Sequence, residues 1–211
     1  MRINATYFVD DLDIKWPSRV KEKSFAGTCK ASFQVASADQ ARGLASAFAK
    51  LVIADAAAKN PFLKIGAIGN PGSGKSTLLK AMIGALDDNG LSVQKAKTGD
   101  TIYISQKYGK IRHIDTFMTD WILRRWQTLP IRGDRKIEFV EHPQHAIRRK
   151  FNLAMRVELS ASNTRPDIID MSKPEDQRRE ITFYADPEIG ESPAFQAFVN
   201  RAREICPSND L

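Results

Sequence analysis

Phe62-Leu63-Lys64-Ile65-Gly66-Ala67-Ile68 runs directly into Gly69-Asn70-Pro71-Gly72-Ser73-Gly74-Lys75-Ser76, and Thr77-Leu78-Leu79 follows. The first stretch is a short apolar run that ends on glycine, the mark of a strand buried within a parallel sheet. The second matches G-x-x-x-x-G-K-[ST] without a mismatch. Glycines let such a loop wrap with its N–H groups inward, where a side chain would block an anion. From Lys75 to about Leu86 the pattern is helical, and Asp88-Asn89-Gly90 ends it. The helix therefore offers its positive end to the same point. Strand, loop and helix in that order predict a triphosphate site. Gly69, Asn70, Pro71, Gly72, Ser73, Gly74, Lys75, Ser76 and Thr77 would surround the phosphates. Lys75 would reach the β- and γ-phosphates, and the Ser76 hydroxyl would bind Mg²⁺. No Asn-Lys-x-Asp stretch that would read guanine is present, which favours ATP over GTP.

Working outward, Ala31 to Val35 alternates as a short strand. Ser37 and Gln40 then form a capping-box pair that opens a helix. Its apolar stripe is Leu44, Phe48, Leu51 and Val52, and it runs to about Ala58, where Asn60-Pro61 stops it. Downstream, Thr101 to Tyr108 and Ile111 to Phe117 flank Gly109-Lys110 and read as a β-hairpin or neighbouring strands. Thr119 to Gln127 reads as a helix, Ile137 to Val140 as a strand, and Gln144 to Lys150 as a short basic helix. Leu153 to Leu159 and Glu180 to Ala185 are late strands. Ser192-Pro193 opens a last helix with Phe195, Phe198, Val199 and Ala202 on one face. The fold expected is α/β, a P-loop NTPase-like three-layer sandwich around a central, mostly parallel sheet. Residues 1–28 show no periodicity and read as an N-terminal extension; residues 29–211 read as one P-loop ATPase domain.

The bulk properties restrict the class further. The chain has 211 residues, 42% of them hydrophobic and 27% charged, which suits one globular domain with a full core. No apolar run is long enough to span a membrane. The opening residues, MRINATYFVDDLDIKWP, lack an apolar signal region, so a cytoplasmic protein is expected. Cys29 and Cys206 lie too far apart for a metal knuckle, and they do not amount to a disulfide framework. The formal net charge of +7 favours polyanionic partners, whether nucleotide or nucleic acid.

Chemistry at a P-loop needs an acid for the metal and a group that orients the attacking water. Two acids stand at strand ends: Asp115 closes Ile111-Arg112-His113-Ile114-Asp115, and Glu141 closes Ile137-Glu138-Phe139-Val140-Glu141. An acid in that place can meet phosphates at the carboxyl edge of a parallel sheet. The alternative for each is an ordinary solvated acid.

The order of these motifs resembles the TsaE (YjeE) family, small bacterial ATPases needed for threonylcarbamoyladenosine modification of tRNA. The resemblance spans roughly residues 31–187. It is carried by Ala41-Arg42-Gly43-Leu44-Ala45 before the loop strand, by Gly74-Lys75-Ser76-Thr77, and by His113-Ile114-Asp115. Val140-Glu141-His142-Pro143 and the late strand Arg178-Arg179-Glu180-Ile181 add to it, with a weaker counterpart of the family's switch in Gly99-Asp100-Thr101. The switch serine and proline are absent, His142 replaces a tryptophan, and Phe117-Met118 replaces a Tyr-Arg pair. The resemblance implies that Asp115 binds Mg²⁺, that Glu141 positions or activates water, and that Thr101 senses the γ-phosphate. It implies a slow ATPase acting on a complex of the TsaB/TsaD type, with tRNA reached through that complex.

Other constellations leave alternatives open. His113, His142 and His145 fall in the two strand-end motifs and are a conceivable zinc set, or else neighbours of an Mg²⁺ site. Arg124 and Arg125, with Trp121 and Trp126, suit an arginine lid, a base-stacking patch or a solvated basic face. Arg148, Arg149 and Lys150 could receive tRNA or an acidic subunit, or be a plain helix surface. The rival functions are a small-molecule kinase, with Asp115 as base, and a nucleotide-gated adaptor with little catalysis.

Overall fold

The computed structural model describes residues 29–70, 72–87, 91–95, 101–115, 136–141, 151–159 and 178–207. Eight strands form one sheet: β1 (Cys29–Val35), β2 (Phe62–Ile68), β3 (Ser92–Lys95), β4 (Thr101–Ser105), β5 (Gly109–Asp115), β6 (Lys136–Glu141), β7 (Leu153–Leu159) and β8 (Arg179–Ala185). Their spatial order is β1-β8-β7-β2-β6-β5-β4-β3. The centre is parallel: β2 pairs with β7 on one side and β6 on the other, and β6 pairs with β5. Both wings are antiparallel, β1 and β8 at one edge and β4 and β3 at the other. The apolar sequence of β2 follows from this central place, and every residue of β6 beside it is buried. Two hydrogen bonds from main-chain N–H groups help set the alignment of the centre. Lys136 N donates to Pro61 O at 3.0 Å, and Lys64 N donates to the side-chain oxygen of Asn152 at 3.1 Å.

The hairpin reading of residues 101–115 holds, with the turn shifted. Ser105 pairs with Gly109, so the first strand stops three residues before Tyr108. The Ser105 hydroxyl explains the stop. It accepts from Lys107 N and Tyr108 N at 3.1 and 3.0 Å and donates to Asp87 Oδ2 at 2.6 Å. The edge strand β3 had no counterpart in the sequence reading. It is four residues long, and Val93 in it is 58% exposed, so no core-facing alternation marks it.

Among the described residues, three helices cover one face of the sheet: α1 (Ala38–Phe48), which continues through a π-turn (Ala49–Ile53) into α2 (Ala54–Lys59), α3 (Lys75–Leu86), and α5 (Pro193–Ile205), which follows the single turn α4 (Pro187–Gly190). α1 packs on both α3 and α5. The capping pair forms as expected on one side: Gln40 N donates to Ser37 Oγ at 3.2 Å. On the other side Gln40 Oε1 accepts from Ala36 N at 2.8 Å, one residue earlier than Ser37's own N–H. A straight helix to about Ala58 is not what forms. Ala54 N bonds back to Ala49 O, inserting one residue into the turn. That wider turn lets Ala49, Val52 and Ile53 all be buried while Leu51 is only half-buried.

The core is richest where β1, β8, α1 and α5 meet. Phe48 lies 4.4 Å from Phe183 and 5.0 Å from Phe198, ring centre to ring centre, and Phe33 lies 5.8 Å from Phe198. The two contacts with Phe198 are edge-to-face, an arrangement that adds to simple burial. Ser192 caps α5 by accepting from Phe195 N at 3.2 Å while donating to Ile189 O at 2.6 Å. The helices expected at 119–127 and 144–150, which would complete the third layer, lie outside the described residues, as does the extension 1–28. Among the described residues no helix is long and apolar enough to cross a membrane.

Candidate functional site

The carboxyl ends of the parallel strands β2, β5, β6 and β7 share one edge of the sheet, and the glycine-rich loop leaves β2 there. The loop's shape has local causes. Gly69 has φ +148°, and a Cβ on it would stand 2.3 Å from Val157 O and 2.8 Å from Ser73 Oγ. Only glycine fits, because the main chain of β7 runs directly against it. We expect Gly69→Ala to cost at least about 2 kcal/mol of stability through forced displacement of backbone. Urea denaturation measures this, and an unchanged midpoint would show that the loop gives way without strain.

Gly74 has φ +98° and is the N-cap of α3, and a Cβ there would meet nothing within 4 Å. Its glycine is thus required by conformation, and the space beside it is open. The loop is stitched by one carbonyl: Asn70 O accepts Ser73 N at 3.2 Å and Lys75 Nζ at 2.7 Å. Lys75 is only 4% exposed, its ammonium folded over the loop. Ser73 Oγ is buried and has no hydrogen-bond partner. A buried hydroxyl left without a partner is the kind of atom that a bound ion or water satisfies.

The first turn of α3 meets the end of β6. Ser76 Oγ donates to Glu141 Oε2 at 2.8 Å, and His113 Nε2 lies 2.7 Å from Glu141 Oε1. Burial opposes the charge on Glu141. The hydrogen bonds from His113 and Ser76, with the electrostatic pull of His113 and Lys75, outweigh it and hold the carboxyl below its ordinary value. An ionised carboxylate only accepts, so His113 donates from Nε2 and both carboxylate oxygens are engaged. A hydroxyl that donates to a carboxylate keeps its lone pairs for a cation. The donor set therefore fits Mg²⁺, which takes one or two protein oxygens and keeps the rest of its shell as water and phosphate. Ser76 with Glu141 would hold it, beside phosphates gripped by the loop.

The structure brings Gly69, Ser73, Lys75, Ser76 and Glu141 together. Asp115 ends β5 directly in register with Glu141, at the same sheet edge. Thr101 pairs with His113, so it stands one strand further out than the histidine that touches Glu141. Asn70, Gly72 and Thr77 are exposed on the loop and the first turn of α3, and Pro71 lies outside the described residues. His142 and His145 lie outside them too, as do Trp121, Arg124, Arg125, Trp126, Arg148, Arg149 and Lys150.

Besides the Ser76–Glu141 bond, two contacts escaped the sequence reading. One is the His113–Glu141 bond. The other is Arg179, whose Nε donates to Ser73 O at 3.2 Å and whose Nη1 donates to Arg178 O at 2.8 Å. A signal for each existed. His113 alternates with the core residue Ile111, and Arg179 alternates with the core residues Ile181 and Phe183, so both occupy inward positions of their strands.

A glycine-rich loop leading from a central parallel strand into the head of a helix defines the P-loop class of α/β protein. In fold the chain is similar to YdiB of Bacillus subtilis. The crystal structure of that protein matches 84% of this chain and 97% of its own at 13% sequence identity, with a TM-score of 0.47. No protein-family model matches the chain, and no curated protein matches it.

Proposed function

We propose that the protein is an Mg²⁺-dependent P-loop ATPase of the TsaE type. In this reading it is a nucleotide-driven switch on a complex that makes the threonylcarbamoyladenosine modification of tRNA. The observation that carries the ATPase reading is the Ser76–Glu141–His113 chain at the head of α3. It joins the hydroxyl suited to a metal and an ionised acid beside the phosphate loop. Lys75 grips the β- and γ-phosphates, and the loop N–H groups hold the β-phosphate. Ser76 takes the metal, with Glu141 and Asp115 as its acidic neighbours. Bound Mg²⁺ supplies neutralisation of phosphate charge. Glu141, fixed at both oxygens, orients a water or receives its proton, and Thr101 responds to the γ-phosphate. The motifs His113-Ile114-Asp115 and Val140-Glu141-His142-Pro143 support the TsaE assignment, and with it a partner complex of the TsaB/TsaD type and a cytoplasmic setting.

The test is ATP hydrolysis by the purified chain with Mg²⁺, alone and with a TsaB/TsaD-type complex. Slow turnover alone and faster turnover with the complex are expected. Turnover that depends instead on a small acceptor molecule would mean a kinase, and ATP binding without turnover in either setting would mean an adaptor.

A further inference from the structure

We infer that Arg179 is a positioning residue of the phosphate loop: its guanidinium holds the Ser73–Gly74 peptide so that the Gly74 N–H faces the polyphosphate. The inference rests on the nucleotide reading above and assigns a role to a residue far outside the loop.

Three observations lead there. Arg179 is the first residue of β8, across β7 from the loop strand, and is 5% exposed. Arginine is almost never that buried unless its donors are used. Its Nε donates to Ser73 O, and its Nη1 is held by Arg178 O, so the fork has a fixed direction. In a trans peptide the carbonyl and the following N–H point to opposite sides of the plane. Among the described residues no peptide is cis. Holding the Ser73 carbonyl toward β8 therefore turns the Gly74 N–H away from β8. Gly74 has a φ of +98°, which no ordinary side chain favours, so glycine leaves this peptide free to rotate when nothing holds it.

The orphaned Ser73 hydroxyl belongs to the same residue. The Ser73 carbonyl is thus tied to the arginine, while its buried hydroxyl has no hydrogen-bond partner. A guanidinium suits this task better than an ammonium, because its planar fork binds two carbonyls in one orientation while an ammonium acts as a point charge.

The experiment compares wild type, Arg179→Lys and Ser192→Ala. Calorimetry gives the Kd for ATP with Mg²⁺ at 25 °C, and thermal unfolding gives the ligand-free midpoint. Ser192→Ala removes the α5 cap, away from the loop, and reports what general destabilisation does to binding. Arg179→Lys keeps the charge but loses the fork. We expect it to bind ATP at least tenfold more weakly than wild type, and Ser192→Ala to bind within twofold of wild type. Arg179→Gln, which lacks the charge as well, should be no better than Arg179→Lys. Wild-type affinity in Arg179→Lys would overturn the positioning role. So would a loss matched by Ser192→Ala at an equal drop in midpoint. If wild type itself fails to bind ATP, the nucleotide reading falls and this inference with it; if wild type binds and Arg179→Lys binds equally, only the inference falls.

Discussion

Lys75→Ala is expected to abolish measurable ATP binding, with titration calorimetry as the check. The side chain is buried at the mouth of the loop, 2.7 Å from Asn70 O, and it counts among the groups that depress the Glu141 carboxyl. Truncation removes the ammonium that Lys75 holds over the loop and leaves more of the phosphate charge to main-chain dipoles. A hydrogen bond to a charged group contributes about 1.5–3 kcal/mol, and Lys75 would make more than one to the β- and γ-phosphates. Losing two such bonds weakens binding by roughly a hundredfold to more than ten-thousandfold. The fold itself should survive, since the apolar residues that anchor α3 (Leu78, Leu79, Met82 and Ile83) are untouched. Retained affinity in a folded Lys75→Ala protein would remove the loop from the nucleotide site altogether.

Glu141→Gln should give the second large effect, of a different kind. An amide of the same shape keeps one acceptor oxygen, so only one of Ser76 and His113 can still donate to it as now. The negative charge is lost where Mg²⁺ is expected and where a water proton would go. General acid–base contributions are typically about 10²–10⁴-fold, so kcat should fall at least about a hundredfold. The Kd for ATP should move by only a few fold, because the phosphate grip lies in the loop. A steady-state assay beside calorimetry separates the two quantities. Normal turnover in the mutant would exclude Glu141 from the mechanism and shift attention to Asp115.

How legible these features were in the sequence follows their distance along the chain. β2 and α3 fall where the sequence placed them, Phe62–Ile68 and Lys75–Leu86, because the loop between them dictates both of its neighbours. The caps at Ser37 and Ser192 were legible for the same reason: each is a contact across three residues. The π-turn was not, since Leu44, Phe48, Leu51 and Val52 fit an ordinary α-helical stripe, and one inserted residue only becomes necessary when Ile53 must also be buried. Both strand-end acids were recognisable as candidates. Which of them touches Ser76 was not, because that depends on β6 inserting between β2 and β5, an order no local pattern encodes. Arg179 lies 106 residues from the carbonyl it holds, and the sequence marks it only as part of an arginine-led late strand and as a charge at an inward position, with no sign of what it touches.

That distance has a consequence for how the protein is made. The loop leans on Val157 at Gly69, on Arg179 at Ser73 and on Glu141 at Ser76. A growing chain that has emerged only through Leu86 carries the whole motif and none of these supports. Competence to grip an anion therefore arrives late, after β8 has docked, and pairings of such long sequence separation are slow to form. A nucleotide bound there, as proposed, would favour the finished state over its partly built forms by mass action, and ligand at a hundred times its Kd would add about 2.7 kcal/mol.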